Sequence, residues 1–153
     1  MAYLTETLAS AVSTELVLAF SIRADQVRSG ENELAVVFLG SSGGNRYELQ
    51  LELLDGGILS LEEESPQANG TYTETNRSTG RTLPLGEWRS VTMTIALGAT
   101  SSTLTFALEG TAAVSLPLSA HLYKAAPRID IGHNSSTSAP FAVHYDDIYV
   151  RVK

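Results

Sequence analysis

The sequence predicts an all-β protein built from antiparallel sheets. Apolar and polar residues alternate with period two in run after run, and the runs are separated by clusters of Gly, Ser, Asn and Pro. No long window carries the 3.6-residue repeat and caps of a helix. One domain over residues 1–153 is expected. A chain of 153 residues that is 43% hydrophobic buries a real core without staples.

The elements follow in order. Strands are expected at Tyr3–Leu8, Glu15–Ile22 and Leu34–Leu39. The clearest alternation is Tyr47-Glu48-Leu49-Gln50-Leu51-Glu52-Leu53, which puts Tyr and Leu on a core face and Glu48, Gln50 and Glu52 on a solvent face. Asp55-Gly56-Gly57 then turns the chain into Gly57–Glu63, which makes a hairpin. Thr71–Thr75 reads as a short strand, with Asn76 to Pro84 as polar turn chemistry. Trp88–Leu97 sets Val91, Met93, Ile95 and Leu97 on one side, and Leu104–Leu108 with Ala113–Leu118 forms a second hairpin about Glu109-Gly110. Arg128–Ile131 and Ala142–Val152 complete the set, with a short helical turn allowed only within Leu118–Ala126. Roughly ten or eleven strands spaced by about 8–12 residues fit a two-sheet antiparallel jelly-roll sandwich. Its expected core includes Leu49, Leu51, Leu53, Val91, Met93, Ile95, Phe106, Leu108, Ile129, Ile131 and Ile148. The closing strand, Val143 to Val150, is expected to cover its edge by pairing with Tyr3–Leu8.

Charge and composition narrow the function. With 17 acidic against 10 basic residues, the net charge of −7 repels phosphate backbones and anionic lipid, so nucleic acid is not an expected partner. Glu6 and Glu15 interrupt the apolar N-terminal stretch, which reads as neither a signal peptide nor a membrane span. An extracellular or cell-surface location is expected, with any targeting segment lying outside this sequence. Cysteine is absent, which removes disulfides, thiolate metal sites and a cysteine nucleophile.

The order of motifs in the second half carries a resemblance. Gly86-Glu87-Trp88-Arg89-Ser90-Val91 opens a strand, Leu104 to Gly110 ends in a Gly turn, Ile129-Asp130-Ile131-Gly132 follows, and Tyr145-Asp146-Asp147-Ile148-Tyr149-Val150 closes. From about Phe20 to Lys153 the chain resembles the concanavalin A-like lectin/glucanase superfamily, especially its laminin-G-like bacterial members. The resemblance implies a jelly roll whose first and last strands lie side by side. It leaves the activity open among lectins, glycosidases, alginate lyases and adhesion modules, so the site must decide. On physical grounds Trp88 is expected to seal one end of the sandwich if its N–H finds a carbonyl acceptor. Asp146 and Asp147, adjacent on a strand, are expected to point to opposite faces, with one tying a loop to the final strand.

Catalytic signatures are incomplete. Glu48-Leu49-Gln50-Leu51-Glu52 resembles the Glu-x-Asp-x-Glu strand of laminarinase-type glycosidases, with Gln50 where the family has Asp, and Trp88 is the sole tryptophan. Leu122-Tyr123-Lys124-Ala125-Ala126 is faintly like an alginate lyase strand, but the Gln-x-His strand of those enzymes is missing. His121, His133 and His144 lack zinc-ligand spacing. The acidic run Glu62-Glu63-Glu64 offers carboxylates to calcium without the alternating Asp/Asn loop pattern, so no cofactor is expected.

The reading that results is a non-catalytic carbohydrate-binding or adhesion module whose partner is a glycan or another protein surface. Tyr72 serves as its exposed aromatic, and Glu48, Gln50 and Glu52 as its polar contacts. The alternatives are a structural or oligomerisation domain forming a homo-oligomer, and a divergent glycosidase or polysaccharide lyase.

Overall fold

The computed structural model describes residues 3–9, 14–27, 30, 32–40, 46–67, 69–119, 126–132 and 142–153. Among the described residues there are eleven strands: β1 (Tyr3–Thr7), β2 (Glu15–Gln26), β3 (Glu33–Leu39), β4 (Tyr47–Leu53), β5 (Ile58–Pro66), β6 (Tyr72–Thr82), β7 (Arg89–Ala96), β8 (Ser102–Leu108), β9 (Val114–Leu118), β10 (Arg128–Gly132) and β11 (Ala142–Val152). They form two antiparallel sheets, ordered β1-β10-β3-β4-β5-β6 and β11-β2-β7-β8-β9. The fold is thus the two-sheet jelly-roll sandwich that the alternation predicts. The helical turn allowed near Leu118–Ala126 falls mostly on residues outside those described.

Alternation explains the core directly, because every second side chain of a strand faces the other sheet. Leu16, Leu18, Phe20 and Ile22 of β2, with Val91, Met93 and Ile95 of β7 and Leu104, Phe106 and Leu108 of β8, line one inner face. Val37, Leu49, Leu51, Leu53, Leu59, Leu61, Ile129 and Ile131 line the other, and none of these residues is more than 4% exposed. The hairpin between β4 and β5 turns at Asp55–Gly57, where Gly56 and Gly57 take positive φ values of 74° and 80°. A Cβ on Gly57 would sit 2.6 Å from the Leu83 carbonyl oxygen, so only glycine fits there.

Five expectations are corrected. β11 pairs with β2, from Ala142 opposite Gln26 to Val152 opposite Leu16, while β1 pairs with β10 in the other sheet. First and last strands therefore do not lie side by side. Second, Ile148 is 39% exposed, because the register of β11 shifts between Asp146 and Tyr149. Asp147 takes φ 52° at this bulge and donates its N–H to the Asp146 carboxylate at 2.8 Å. Asp146 and Asp147 are both exposed, so neither is directed inward. Third, Trp88 is 44% exposed and seals nothing. Fourth, Asn76 to Thr82 continues β6 instead of forming a turn, since a polar edge strand needs pairing on one side alone, here from β5.

The fifth correction concerns β4. Every residue from Tyr47 to Leu53 is buried, including Glu48 and Gln50 at 7% exposure and Glu52 at 3%. The face expected to be wet is covered, because β4 lies inside the six-stranded sheet, with Phe38, Val36 and Glu33 of β3 on one side and Glu64, Glu62 and Ser60 of β5 on the other.

A groove on the outer face of the six-stranded sheet

Strand register assembles the outer face of this sheet in rows. Arg128 of β10 lies opposite Phe38 of β3, which lies opposite Glu48 of β4, then Glu64 of β5 and Glu74 of β6. The next row runs Asp130, Val36, Gln50, Glu62, Asn76. A third brings Glu33 opposite Glu52, followed by Ser60 and Ser78. Between β10, β3 and β4 these side chains leave a groove of about 230 Å³, lined by Glu33, Val36, Phe38, Arg46, Glu48, Gln50, Arg128, Asp130 and Gly132.

Phe38 is the centre of the groove. The Arg128 guanidinium carbon lies 3.9 Å from its ring centroid and that of Arg46 lies 4.8 Å away, so the ring is held between two cations. Each guanidinium is also tethered: Arg46 donates from Nε to Glu48, and Arg128 Nη2 donates to Asp130 Oδ2 at 3.0 Å. Arg128 Nε and Asp130 Oδ1 are buried with no protein hydrogen-bond partner. Such under-satisfied groups are uncommon and each carries a desolvation penalty of about 1–3 kcal/mol.

Electrostatically the face is acidic. Glu33, Glu48, Glu52, Glu62, Glu64, Glu74 and Asp130 share it with Arg46 and Arg128. The strain of that arrangement shows at Glu64, whose carboxyl is pushed above its ordinary value by burial first, then by the charges of Glu48, Glu62 and Glu74. The run Glu62-Glu63-Glu64 splits between faces, with Glu62 and Glu64 outward and Glu63 inward. Among the described residues no group of three or more His, Asp or Glu side chains is arranged to hold a metal ion.

The structure brings Glu48 and Gln50 into the groove and leaves Glu52 buried opposite Glu33, which lines the groove while Glu52 does not. Tyr72 stands on the edge strand β6, 40% exposed and opposite Pro66, away from the groove. Phe38, Arg46, Arg128 and Asp130 were not singled out from the sequence as site residues. Alternation with Ile129 and Ile131 is a signal that Arg128 and Asp130 share the outer face, but no local pattern brings Phe38 and Arg46 to them. His121 and His133 lie outside the described residues, as does the Tyr123 segment.

No family model matches this chain, and no curated protein matches its sequence. Solved structures match its fold. The endo-β-1,4-glucuronan lyase of the fungus Trichoderma reesei superposes with a TM-score of 0.77 at 12% identity, over 99% of this chain and 74% of that one. An alginate lyase of Pseudomonas aeruginosa gives 0.61 at 13% identity, over 92% of this chain and 65% of the enzyme. A human galectin-16 variant gives 0.61 at 11% identity, over 99% and 95%. The fold is that of the concanavalin A-like jelly rolls. Its neighbours include both polysaccharide lyases and galectins.

Proposed function

We propose that the chain is a non-catalytic carbohydrate-binding module whose outer-face groove takes a neutral glycan. The observation that carries this reading is the groove lining itself: an aromatic ring, an amide, tethered guanidiniums and carboxylates converge on one small concavity. Saccharide hydroxyls both donate and accept, so a surface that alternates carboxylate acceptors with guanidinium and amide donors suits them. The under-satisfied Arg128 Nε and Asp130 Oδ1 add to that capacity if a ligand draws either side chain outward. At about 230 Å³ the groove is below the roughly 300–1,000 Å³ of sites that engulf a drug-sized ligand, and it suits a short stretch of a chain lying across the sheet.

The same residues weigh against catalysis. Elimination on a uronate polymer needs its carboxylate neutralised and a positioned base and acid. Here the nine described lining residues include neither His nor Tyr, and acidic side chains outnumber the cations around them. Retaining hydrolysis needs two accessible carboxylates flanking the sugar, yet Glu48 is paired with Arg46 and Glu52 is 3% exposed outside the lining. An acidic face also repels polyuronates. The lyase-like neighbours therefore support the fold and a glycan ligand, not turnover.

Affinity electrophoresis in gels holding neutral glucans, mannans or galactans, beside gels holding alginate or glucuronan, tests the reading. Retardation by a neutral polysaccharide that weakens in Gln50→Ala and Phe38→Ala is expected. Release of unsaturated uronate from either polyuronate, abolished by a groove substitution, would overturn it.

A second reading, assembly into a homo-oligomer, is favoured by one feature: edge strand β11 exposes Ile148 at 39% and Tyr149 at 52%. Light scattering across a concentration series tests it, and a monomer at every concentration excludes it.

A further inference from the structure

The opposite sheet carries an exposed tryptophan among polar groups already held in place. Val91, Met93 and Ile95 of β7 face the core, so Ser90 and Trp88 fall on the outer side, beside Arg23 of β2, because Ile22 pairs with Arg89. The Arg23 position pairs in turn with His144 of β11. Trp88 is 44% exposed, and its ring centroid lies 6.5 Å from that of His144, tilted by 56°. Arg23 Nε donates to Asp25 Oδ1 at 2.6 Å, and His144 Nε2 lies 3.0 Å from Asp25 Oδ2. Both arms thus meet one carboxylate and are fixed relative to the indole.

We propose that Trp88, Arg23, Asp25 and His144 form a second saccharide-binding site, on the five-stranded sheet, that takes a neutral oligosaccharide. It does not rest on the groove reading. An indole left in water forfeits the gain of burial, and its electron-rich face attracts the slightly positive axial C–H groups of a pyranose. Beside it, Asp25 keeps acceptor capacity for one hydroxyl, while the guanidinium of Arg23 has further N–H donors for the next. The Arg23 hydrogen bond, against a smaller upward push from burial, and then His144 hold the Asp25 carboxyl below its ordinary value, so it remains an acceptor at neutral pH. The ligand class follows from charge. Glu87, Glu109 and Asp146 surround the patch, with Glu87 paired to Arg89 and Glu109 accepting from the Ser90 N–H at 3.0 Å. A uronate would meet net negative charge, and a neutral sugar pays no such penalty.

Trp88 is the only tryptophan of the chain, so its fluorescence reports this patch and nothing else. The experiment titrates the full chain with cellohexaose, laminarihexaose, mannohexaose and xylohexaose, and with oligoguluronate as the charged comparison. A saturable shift of the Trp88 emission is expected with at least one neutral hexaose at millimolar concentration or below. It should persist in the groove variant Gln50→Ala and weaken by about tenfold or more in Arg23→Ala and in His144→Ala, one half-buried and one exposed position outside the core. Absence of a saturable response to all four neutral hexaoses overturns the proposal, as does a response lost in Gln50→Ala. An equal response to oligoguluronate overturns the ligand class. The groove holds no tryptophan and has gel retardation as its own readout, so the absence of a response to all four neutral hexaoses leaves the groove reading standing.

Discussion

The Tyr47 hydroxyl donates a 2.7 Å hydrogen bond to Glu63 Oε1 between the two sheets, at a carboxylate with 0% exposure. Arg77 reaches the other oxygen, Oε2, from Nη2 at 2.6 Å and Nε at 3.2 Å. The Ser119 N–H and hydroxyl also donate to Oε1, at 2.5 and 2.7 Å. Glu63 is thereby the point at which the six-stranded sheet is fastened to the segment leaving β9. Burial pushes its carboxyl upward, but the hydrogen bonds from Arg77, Ser119 and Tyr47 outweigh that and hold it below its ordinary value.

Removing one partner of a buried pair costs more than the pair contributes, because the remaining charge stays desolvated. Arg77→Met is expected to lower stability by about 3 kcal/mol, the low end of that class since Arg77 keeps 24% side-chain exposure. For a domain of this size the loss corresponds to roughly 6–12 °C in the thermal midpoint. The pH dependence has a defined sign. A carboxyl with a lowered folded-state pKa contributes stability that is full above its unfolded value near 4.5 and is lost as pH falls through the folded value. The difference between the natural chain and Arg77→Met should therefore be large at pH 7 and shrink below pH of about 4.5. A calorimetric difference independent of pH would show that Glu63 is not the linked group.

Glu64 should behave in the opposite sense. Its carboxyl is raised by burial and by Glu48, Glu62 and Glu74, so its charged form opposes folding at neutral pH and that cost is relieved as pH falls through the raised value. Glu64→Gln is expected to raise the midpoint at pH 7 by roughly 1–3 °C, with the gain fading in acid. A lower midpoint at neutral pH would sink this account of the acidic face.

Strand identity was legible in the sequence because burial on one face imposes alternation, and each predicted strand recurs, although β6 runs on to Thr82 where Asn76 onward reads as a turn. Which faces were covered was less legible. Alternation separates Glu48, Gln50 and Glu52 from Leu49 and Leu51 but does not distinguish solvent from a polar face crowded by neighbouring strands. Glu63 shares parity with Leu59 and Leu61, a signal that it faces inward, and the run of three Glu masked it. Ile148 was misplaced because the bulge at Asp146–Tyr149 reverses parity without the Gly that commonly marks one. Arg46, Arg128 and Phe38 meet only through the β10-β3-β4 order, in which β10 inserts beside β3 from far along the chain. No local pattern encodes that.

Gln50→Asp restores the acidic residue between Glu48 and Glu52 and tests whether the glycosidase-like pattern is latent chemistry. No hydrolysis of any glucan is expected, because Glu52 is buried outside the groove and Glu48 is engaged by Arg46. The added carboxylate would lie opposite Glu62, so stability should fall by about 1–3 kcal/mol. Reducing-sugar release by purified Gln50→Asp would overturn the non-catalytic reading.

The sheet order makes the two ends of the chain unequal, and truncation should reveal it. β1 contributes only a short outer strand: Leu4, Thr5, Glu6 and Thr7 are exposed, and its removal leaves β10 still paired with β3. What is lost is one edge ladder, the partly buried Leu8 side chain against the margin of the core, and the bond from the Leu8 N–H to the Pro127 carbonyl at 3.0 Å. β11 is different in kind. It pairs along most of β2, packs Val143, Tyr145, Val150 and Val152 against the core, and sends the Tyr145 hydroxyl to the Leu34 carbonyl of the opposite sheet at 3.1 Å. Burial also pushes the Tyr145 hydroxyl well above the ordinary tyrosine range, so the bond persists through alkaline pH. Stripping β11 would expose the apolar residues beneath it and the long edge of β2 together. Deletion of residues 1–8 is therefore expected to lower the midpoint by no more than about 8 °C, from a loss of roughly 1–2 kcal/mol. Deletion of residues 142–153 should abolish the cooperative transition altogether. If the N-terminal deletion unfolded the protein while the C-terminal one left a sharp melt, the pairing of β11 with β2 would be the wrong basis for its stability.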